Sequence, residues 1–197
     1  MAGLYLASTS PRRSELLAQI GVHFATINVV VDESPLPDES ASVYVQRLAL
    51  AKARAGAARL PEGKVVLGAD TCGLLDGEIL GKPANRVEGV KLLQRLSGRA
   101  HQVLTAVAVV RGGLTEVRVV ASEVRFRPLT LSECQAYWDT GEPADKAGGY
   151  AIQGFGAVFV QHLEGSYSAV VGLPLCETAQ LLGTFGVACW QTRENAP

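Results

Sequence analysis

Ten residues near the start, Leu4-Tyr5-Leu6-Ala7-Ser8-Thr9-Ser10-Pro11-Arg12-Arg13, constrain this chain most. Leu4 to Ala7 is an apolar run that predicts a short buried strand. Ser8, Thr9 and Ser10 form a hydroxyl-rich turn. Ser10 suits a helix N-cap and Pro11 the first helical position, and Leu16, Leu17 and Ile20 follow at helical spacing. Arg12 and Arg13 therefore fall in the first turn of a helix, where the dipole is positive and cations are unfavourable. An arriving anion offsets that cost, and a strand-turn-helix aims backbone N–H groups at it. The stretch predicts a phosphate site. The alternative is an exposed turn whose arginines pair with nearby Asp or Glu.

With 197 residues the chain has room for one large domain or two small ones. A formal net charge of −1 offers no global field for DNA or RNA, so anion recognition must be local. The four cysteines, Cys72, Cys134, Cys176 and Cys189, form no CxxC pair and no zinc-like spacing with His23, His101 or His162. That predicts reduced thiols and a cytoplasmic setting. No segment is long and apolar enough to span a membrane, and the first residues do not read as a signal peptide. Five lysines against thirteen arginines leave the general surface charge to arginine and single out each lysine.

In chain order, Phe24 to Val31 predicts a second strand ending in Asp32-Glu33, carboxylates that either line a site or give plain loop polarity. A long helix runs from about Ala41 to Leu60, and Val45, Leu48, Ala49 and Gly56 mark one face. Lys52 lies on that face, where it must pair, bind an anion or snorkel to solvent. Val65 to Cys72 is a third strand signal, apolar and then broken at Gly68-Ala69, with Asp70 and Thr71 directly after, and Leu74 to Leu80 forms a hairpin turning at Asp76-Gly77. A carboxylate flanked by apolar β residues points to catalysis or metal binding, with a structural turn or cap as the alternative. Lys82 follows the hairpin and returns toward Asp70 if the two strands pair.

Beyond it, the sequence predicts a helix from residue 85 or 86 to Leu96 and Val-rich strands at Gln102–Val110 and Glu116–Phe126. A helix at Thr130–Thr140, a strand at Val158–Leu163 and a helix from about Pro174 to Phe185 complete the set. The glycine-bearing loop Gly141–Tyr150, and a buried-looking Gln153 before Gly154, read as ligand-facing or as a simple connector. Cys189 onward reads as a frayed tail. The order of elements predicts an α/β fold, a mixed sheet covered by helices.

Arg12, Arg13, Lys52 and Lys82 supply cations, and Glu33 and Asp70 supply anions. No Ser-His-Asp arrangement, GxGxxG fingerprint or Walker loop is present. Several cations suit a polyphosphate. One or two carboxylates suit Mg²⁺ shared with substrate phosphates, or the deprotonation of water. Together they compose metal-assisted hydrolysis of a phosphoanhydride.

These residues carry a resemblance. Ser8-Thr9-Ser10-Pro11-Arg12-Arg13, Asp32-Glu33, Lys52-Ala53, Gly68-Ala69-Asp70-Thr71, Gly81-Lys82-Pro83, Glu142 to Gly148 with Gln153-Gly154, and Val171 to Pro174 resemble the Maf family of nucleoside-triphosphate pyrophosphatases in order and spacing. The resemblance spans Leu4 to about Leu182. It implies a single Maf/ITPase-like domain over residues 1–190, a twisted mixed sheet flanked by helices with a cleft between two lobes, and a tail at 191–197. It also implies hydrolysis of a nucleoside triphosphate to the monophosphate and pyrophosphate with a divalent cation, Mg²⁺ or Mn²⁺. In that scheme Asp70 accepts the proton of water, and Arg13, Lys52 and Lys82 hold phosphates beside Ser8. Glu33 places the metal with Asp70. Arg12, Thr71 and Gln153 resemble the dTTP/UTP branch, with Gln153 as a reader of the base. A homodimer without nucleic-acid or membrane partners is implied as well. The alternatives are a 7-methyl-GTP-type pyrophosphatase of the same family and a non-catalytic nucleotide-binding regulator of cell division.

Overall fold

The structure, a computed structural model, describes residues 3–191. Its strands are β1 (Leu4–Leu6), β2 (Phe24–Thr26), β3 (Val65–Leu75), β4 (Glu78–Leu80), β5 (Ala100–Arg111), β6 (Leu114–Phe126) and β7 (Val160–Glu164). Its helices are α1 (Pro11–Gln19), α2 (Ala41–Ala57), α3 (Arg86–Leu96), α4 (Leu131–Asp139), α5 (Tyr167–Val171) and α6 (Leu175–Thr184). Hydrogen bonds link the strands in the order β2-β1-β3-β5-β6-β7, with β4 pairing with β3. This is the expected mixed α/β architecture. No helix among the described residues is long and apolar enough to cross a membrane.

The chain divides into two compact units. The first holds residues up to Asp70, Thr105–Val120 and those from Gly172 on; the second holds Thr71–Leu104 and Ala121–Val171. In the first unit β1 runs parallel to both neighbours, with Leu6 opposite Thr26 and Leu67. Parallel strands need crossovers, and α1 and α2 supply them. Leu4–Leu6 of β1 and Val65–Leu67 of β3, the segments that pair in parallel, are apolar and largely buried, as interior parallel strands are. Leu4, Leu6, Leu17, Leu48, Leu67 and Leu182 are fully buried there.

Helix α2 lies directly on β3. Residues two apart share a strand face, so Val66, Gly68 and Asp70 face the same way. A side chain on Gly68 would sit 2.3 Å from the Ala49 carbonyl and 2.6 Å from the Ala53 amide nitrogen. Gly56 is likewise close against Val66 and Ala7. The glycines bring the helix backbone onto the strand.

In the second unit β3 and β4 form the expected hairpin, with Leu75 opposite Glu78 and both turn residues at positive φ, Asp76 at 54° and Gly77 at 82°. Strand β7 pairs antiparallel with β6. Leu75, Leu93, Leu96, Val124 and Phe126 are buried. Phe126, Tyr150, His101, Phe159 and Tyr137 pack ring against ring.

Several expectations are corrected. β2 stops at Thr26 rather than Val31, because β1, the strand it pairs with, itself ends at Leu6, whose carbonyl accepts from the Ile27 amide. Gly68-Ala69 does not interrupt β3, since the missing side chain serves packing rather than a break. Short helix α5 was not foreseen, and the strand expected from Val158 begins at Val160 after a 3₁₀ turn at Phe155–Phe159. Cys189 does not open a frayed tail: the Trp190 and Gln191 amides donate to the Ile20 and Gly21 carbonyls at 2.8 and 2.9 Å. The rest of the expected tail, 192–197, lies outside the described residues.

Candidate functional site

The first unit gathers most of the charged candidates at the carboxyl ends of its parallel strands, where open α/β sheets bind ligands. Ser8, Arg12 and Arg13 follow β1. Glu33 follows β2. Asp70 lies in β3 three residues beyond Leu67, the last residue paired with β1.

Lys52 joins two of them. Its Nζ lies 2.6 Å from Asp70 Oδ1 and 2.6 Å from Glu33 Oε1. The close seat of α2 on Gly68 explains the first contact, because Lys52 sits between Ala49 and Ala53 and Asp70 is the next residue on that strand face. The lysine on the inward stripe is thus paired rather than snorkelled. Asp70 is nearly buried, Lys52 little less so, and Glu33 is half exposed.

Burial pushes the Asp70 carboxyl above its usual range. The charge and hydrogen bond of Lys52, then the charge of Arg13, oppose that push, and Glu33 adds to it. The outcome is a carboxylate more basic than ordinary, as a proton acceptor needs to be.

On the β1–α1 turn, Ser10 occupies the N-cap position but makes no side-chain cap bond. Its amide instead donates to Ser8 Oγ at 3.1 Å. Arg13 donates from Nε to the Gly172 carbonyl at 2.8 Å and from Nη1 to Ser8 Oγ at 3.4 Å. Burial holds the Arg13 guanidinium below its usual value, Asp70 works against that, and the like charge of Arg12 adds to it. Arg12 makes no hydrogen bond or ion pair with any described residue, so for Arg12 a neighbouring carboxylate does not relieve the helix dipole.

The second unit holds the other candidates. Thr71 directly follows Asp70 in β3. Lys82 is exposed, two residues past the last hairpin pair, Gly73 opposite Leu80, and forms no ion pair with a described residue. Gln153 is exposed, which corrects its buried-looking sequence context. Of the carboxylates in the loop after α4, Glu142 turns inward. It accepts from Tyr137 Oη at 2.6 Å and from the Phe155 and Gly156 amides at 3.0 and 3.1 Å. A Cβ on Gly154 would collide with that carboxylate. Asp145, the loop's other carboxylate, pairs with Lys146 at 2.6 Å.

Sequence reasoning missed three contributors: Tyr44, Arg47 and the Gly172 carbonyl. Gly172 was part of a motif with no role attached. Tyr44 and Arg47 donate to the backbone carbonyls of Glu33 and Ser34, which residue type does not reveal.

The carboxylates of Glu33 and Asp70 are hard oxygen donors, each with one oxygen toward Lys52. No described group of three or more His, Cys, Asp or Glu could hold a metal ion. Two carboxylates are the share of its shell that Mg²⁺ commonly takes from protein, substrate phosphates and water filling the rest.

The family described as Maf-like protein matches residues 3–185. A protein of Pseudoalteromonas atlantica named dTTP/UTP pyrophosphatase is 53% identical over 188 residues, covering 94% of this chain and 98% of its own. Proteins of the same name from Alkalilimnicola ehrlichii and Saccharophagus degradans are 56% and 53% identical, over 93% and 96% of this chain and 93% and 92% of their own.

Proposed function

Because the chain belongs to the Maf family, we propose that it hydrolyses nucleoside triphosphates, dTTP and UTP foremost, to the nucleoside monophosphate and pyrophosphate. The observation that carries the chemistry is the buried Asp70 carboxylate gripped by Lys52 at the end of the parallel strands. Full-length relatives above 50% identity named dTTP/UTP pyrophosphatase support the substrate.

In this reading Asp70 takes a proton from the attacking water, the bond between the α- and β-phosphates breaks, and pyrophosphate leaves. Lys52 holds the Asp70 carboxylate in place and, with Arg13 and Lys82, binds phosphate oxygens. The β1–α1 turn offers Ser8 and its backbone amides to the same anion. Glu33 and Asp70 would hold a divalent cation, Mg²⁺ or Mn²⁺, which neutralises phosphate charge when bound. Arg12, Thr71 and Gln153 select the nucleotide, and the exposed Gln153 amide can both donate to and accept from a pyrimidine edge. The family resemblance adds a homodimer, which light scattering tests. Four cysteines without a disulfide support a cytoplasmic setting.

The test is pyrophosphate release with Mg²⁺ across a nucleotide panel. UTP and dTTP are expected to lead, and far better turnover of 7-methyl-GTP would sink the substrate assignment. Asp70→Asn is expected to lose on the order of 10² to 10⁴ in kcat, the usual range for an acid–base group; full activity would remove Asp70 as the base.

A further inference from the structure

Glu33 is an unusual member of the site. Its carboxylate meets Lys52 at 2.6 Å, yet it is half exposed and lies in the irregular chain between β2 and α2. An exposed glutamate on such a segment has many rotamers and backbone states to lose. What holds it is the helix that carries Lys52. Tyr44 Oη donates to the Glu33 carbonyl at 3.0 Å. Arg47 Nη2 donates to the next carbonyl, that of Ser34, at 3.0 Å. The same guanidinium grips Glu39 with two bonds, Nε to Oε1 at 2.6 Å and Nη2 to Oε2 at 2.7 Å. Glu39 in turn accepts from the Leu36 amide at 3.1 Å, and Arg47 stacks over the Tyr44 ring at 5.6 Å. The chain from Glu33 to Glu39 is thus tied to α2 at Glu33 by Tyr44, and at Ser34 and Glu39 by one guanidinium.

We propose that Arg47, with Tyr44, is the positioning residue for Glu33: it fixes the backbone at residues 33–39 to α2, so that Glu33 and Lys52 are both placed by one helix. The bond pattern requires an arginine. A planar fork can hold both Glu39 oxygens while also donating to a carbonyl; a lysine ammonium has no such fixed geometry. The hydrogen bonds of Arg47 go to Glu39 and to the Ser34 carbonyl, next to Glu33, and to none of the candidate site residues among those described, so its effect passes through the chain that carries Glu33. The inference rests on the reading that Glu33 serves the reaction.

The test is a mutant cycle on the full chain, with kcat and KM for UTP in Mg²⁺ and the thermal unfolding midpoint of each variant. Glu33→Gln is expected to lower kcat about tenfold or more, and Arg47→Met by about 10 to 10², the scale of a small misplacement. The double variant is expected to be no worse than Glu33→Gln alone. Arg47→Lys is expected to unfold near the wild-type midpoint and still show low kcat. Tyr44→Phe deletes one hydroxyl and is expected to lower kcat severalfold with its midpoint intact; that keeps the test decisive if Arg47→Met does not fold. Losses that multiply in the double variant, or full rescue by lysine, overturn the proposal. Wild-type kcat in Arg47→Met or Tyr44→Phe beside an impaired Glu33→Gln also overturns it. Wild-type activity in Glu33→Gln itself removes the role of Glu33, and the proposal with it.

Discussion

Gly68→Ala adds one carbon at the point where packing and chemistry meet. The new Cβ would stand 2.3 Å from the Ala49 carbonyl oxygen and 2.6 Å from the Ala53 amide nitrogen, where ordinary contact begins at 3.4 Å. Both obstacles are backbone atoms, so no rotamer change relieves them. Helix α2 must recede from β3 by about 1 Å, and overpacking of this kind costs about 1–3 kcal/mol. In a chain of this length each kcal/mol lowers the unfolding midpoint by about 2–4 °C, so a fall of about 2–12 °C is expected. The receding helix takes Lys52 with it, away from Asp70. A displacement of about 1 Å at a reacting group can cost on the order of 10² in rate. Thermal unfolding monitored by circular dichroism and pyrophosphate release from UTP read the two effects separately. Gly113→Ala, where a Cβ meets nothing within 4 Å, is the control and should change neither. A Gly68→Ala enzyme with the wild-type midpoint refutes the packing argument. One that loses stability but keeps kcat refutes the link from that packing to the site.

Lys52→Met removes both influences by which Lys52 lowers the Asp70 pKa. That pKa then rises, the base stays protonated to higher pH, and the acid limb of kcat/KM moves alkaline while the rate falls on the order of 10² to 10³; an unmoved limb contradicts the assigned pair. His101 is buried, and burial lowers its pKa from 6.5 to about 4. Between those values the unfolded chain binds a proton that the native protein refuses, so stability falls with pH from about 6.5 toward 4, by about 2 kcal/mol between pH 7.5 and 5. Denaturant titrations at the two pH values measure it, and a His101→Phe variant with the same pH slope as wild type would remove His101 as the cause.

Legibility in the sequence followed a physical divide. Side chains in regular elements were readable, because period and polarity place them. Lys52 on an apolar helix face had to pair, bind an anion or snorkel to solvent, and it pairs with two carboxylates. Asp70 among apolar β residues is nearly buried as its setting required. The hairpin at Asp76-Gly77 needed only its turn chemistry. Backbone partnerships were not readable. The Gly172 carbonyl that receives Arg13 lies 159 residues along the chain, and Glu142, which looked ligand-facing, spends its carboxylate on two amides and a tyrosine hydroxyl. Gln153 looked buried because its neighbours are apolar or glycine, yet it sits exposed at a turn those bonds hold.

The charge balance of the first unit bears on why a divalent cation belongs to the proposed reaction. Arg12, Arg13 and Lys52 bring three positive charges to the strand ends, and Glu33 and Asp70 bring two negative ones, one of which must stay ionised to act as base. That leaves a single net positive charge against a triphosphate. Lys52 is already shared between two carboxylates, so its attraction for a phosphate is weakened by both. A cation that binds those carboxylates would free Lys52 toward the substrate while adding two charges of its own. The arrangement therefore predicts that metal and triphosphate bind cooperatively, each tightening the other by the same factor. Isothermal titration of the wild-type protein with Mg²⁺, in the presence and absence of an α,β-methylene analogue of UTP that cannot be hydrolysed, measures that factor beyond the metal binding of the analogue alone. A factor of one would show that the carboxylates and Lys52 do not exchange partners in this way.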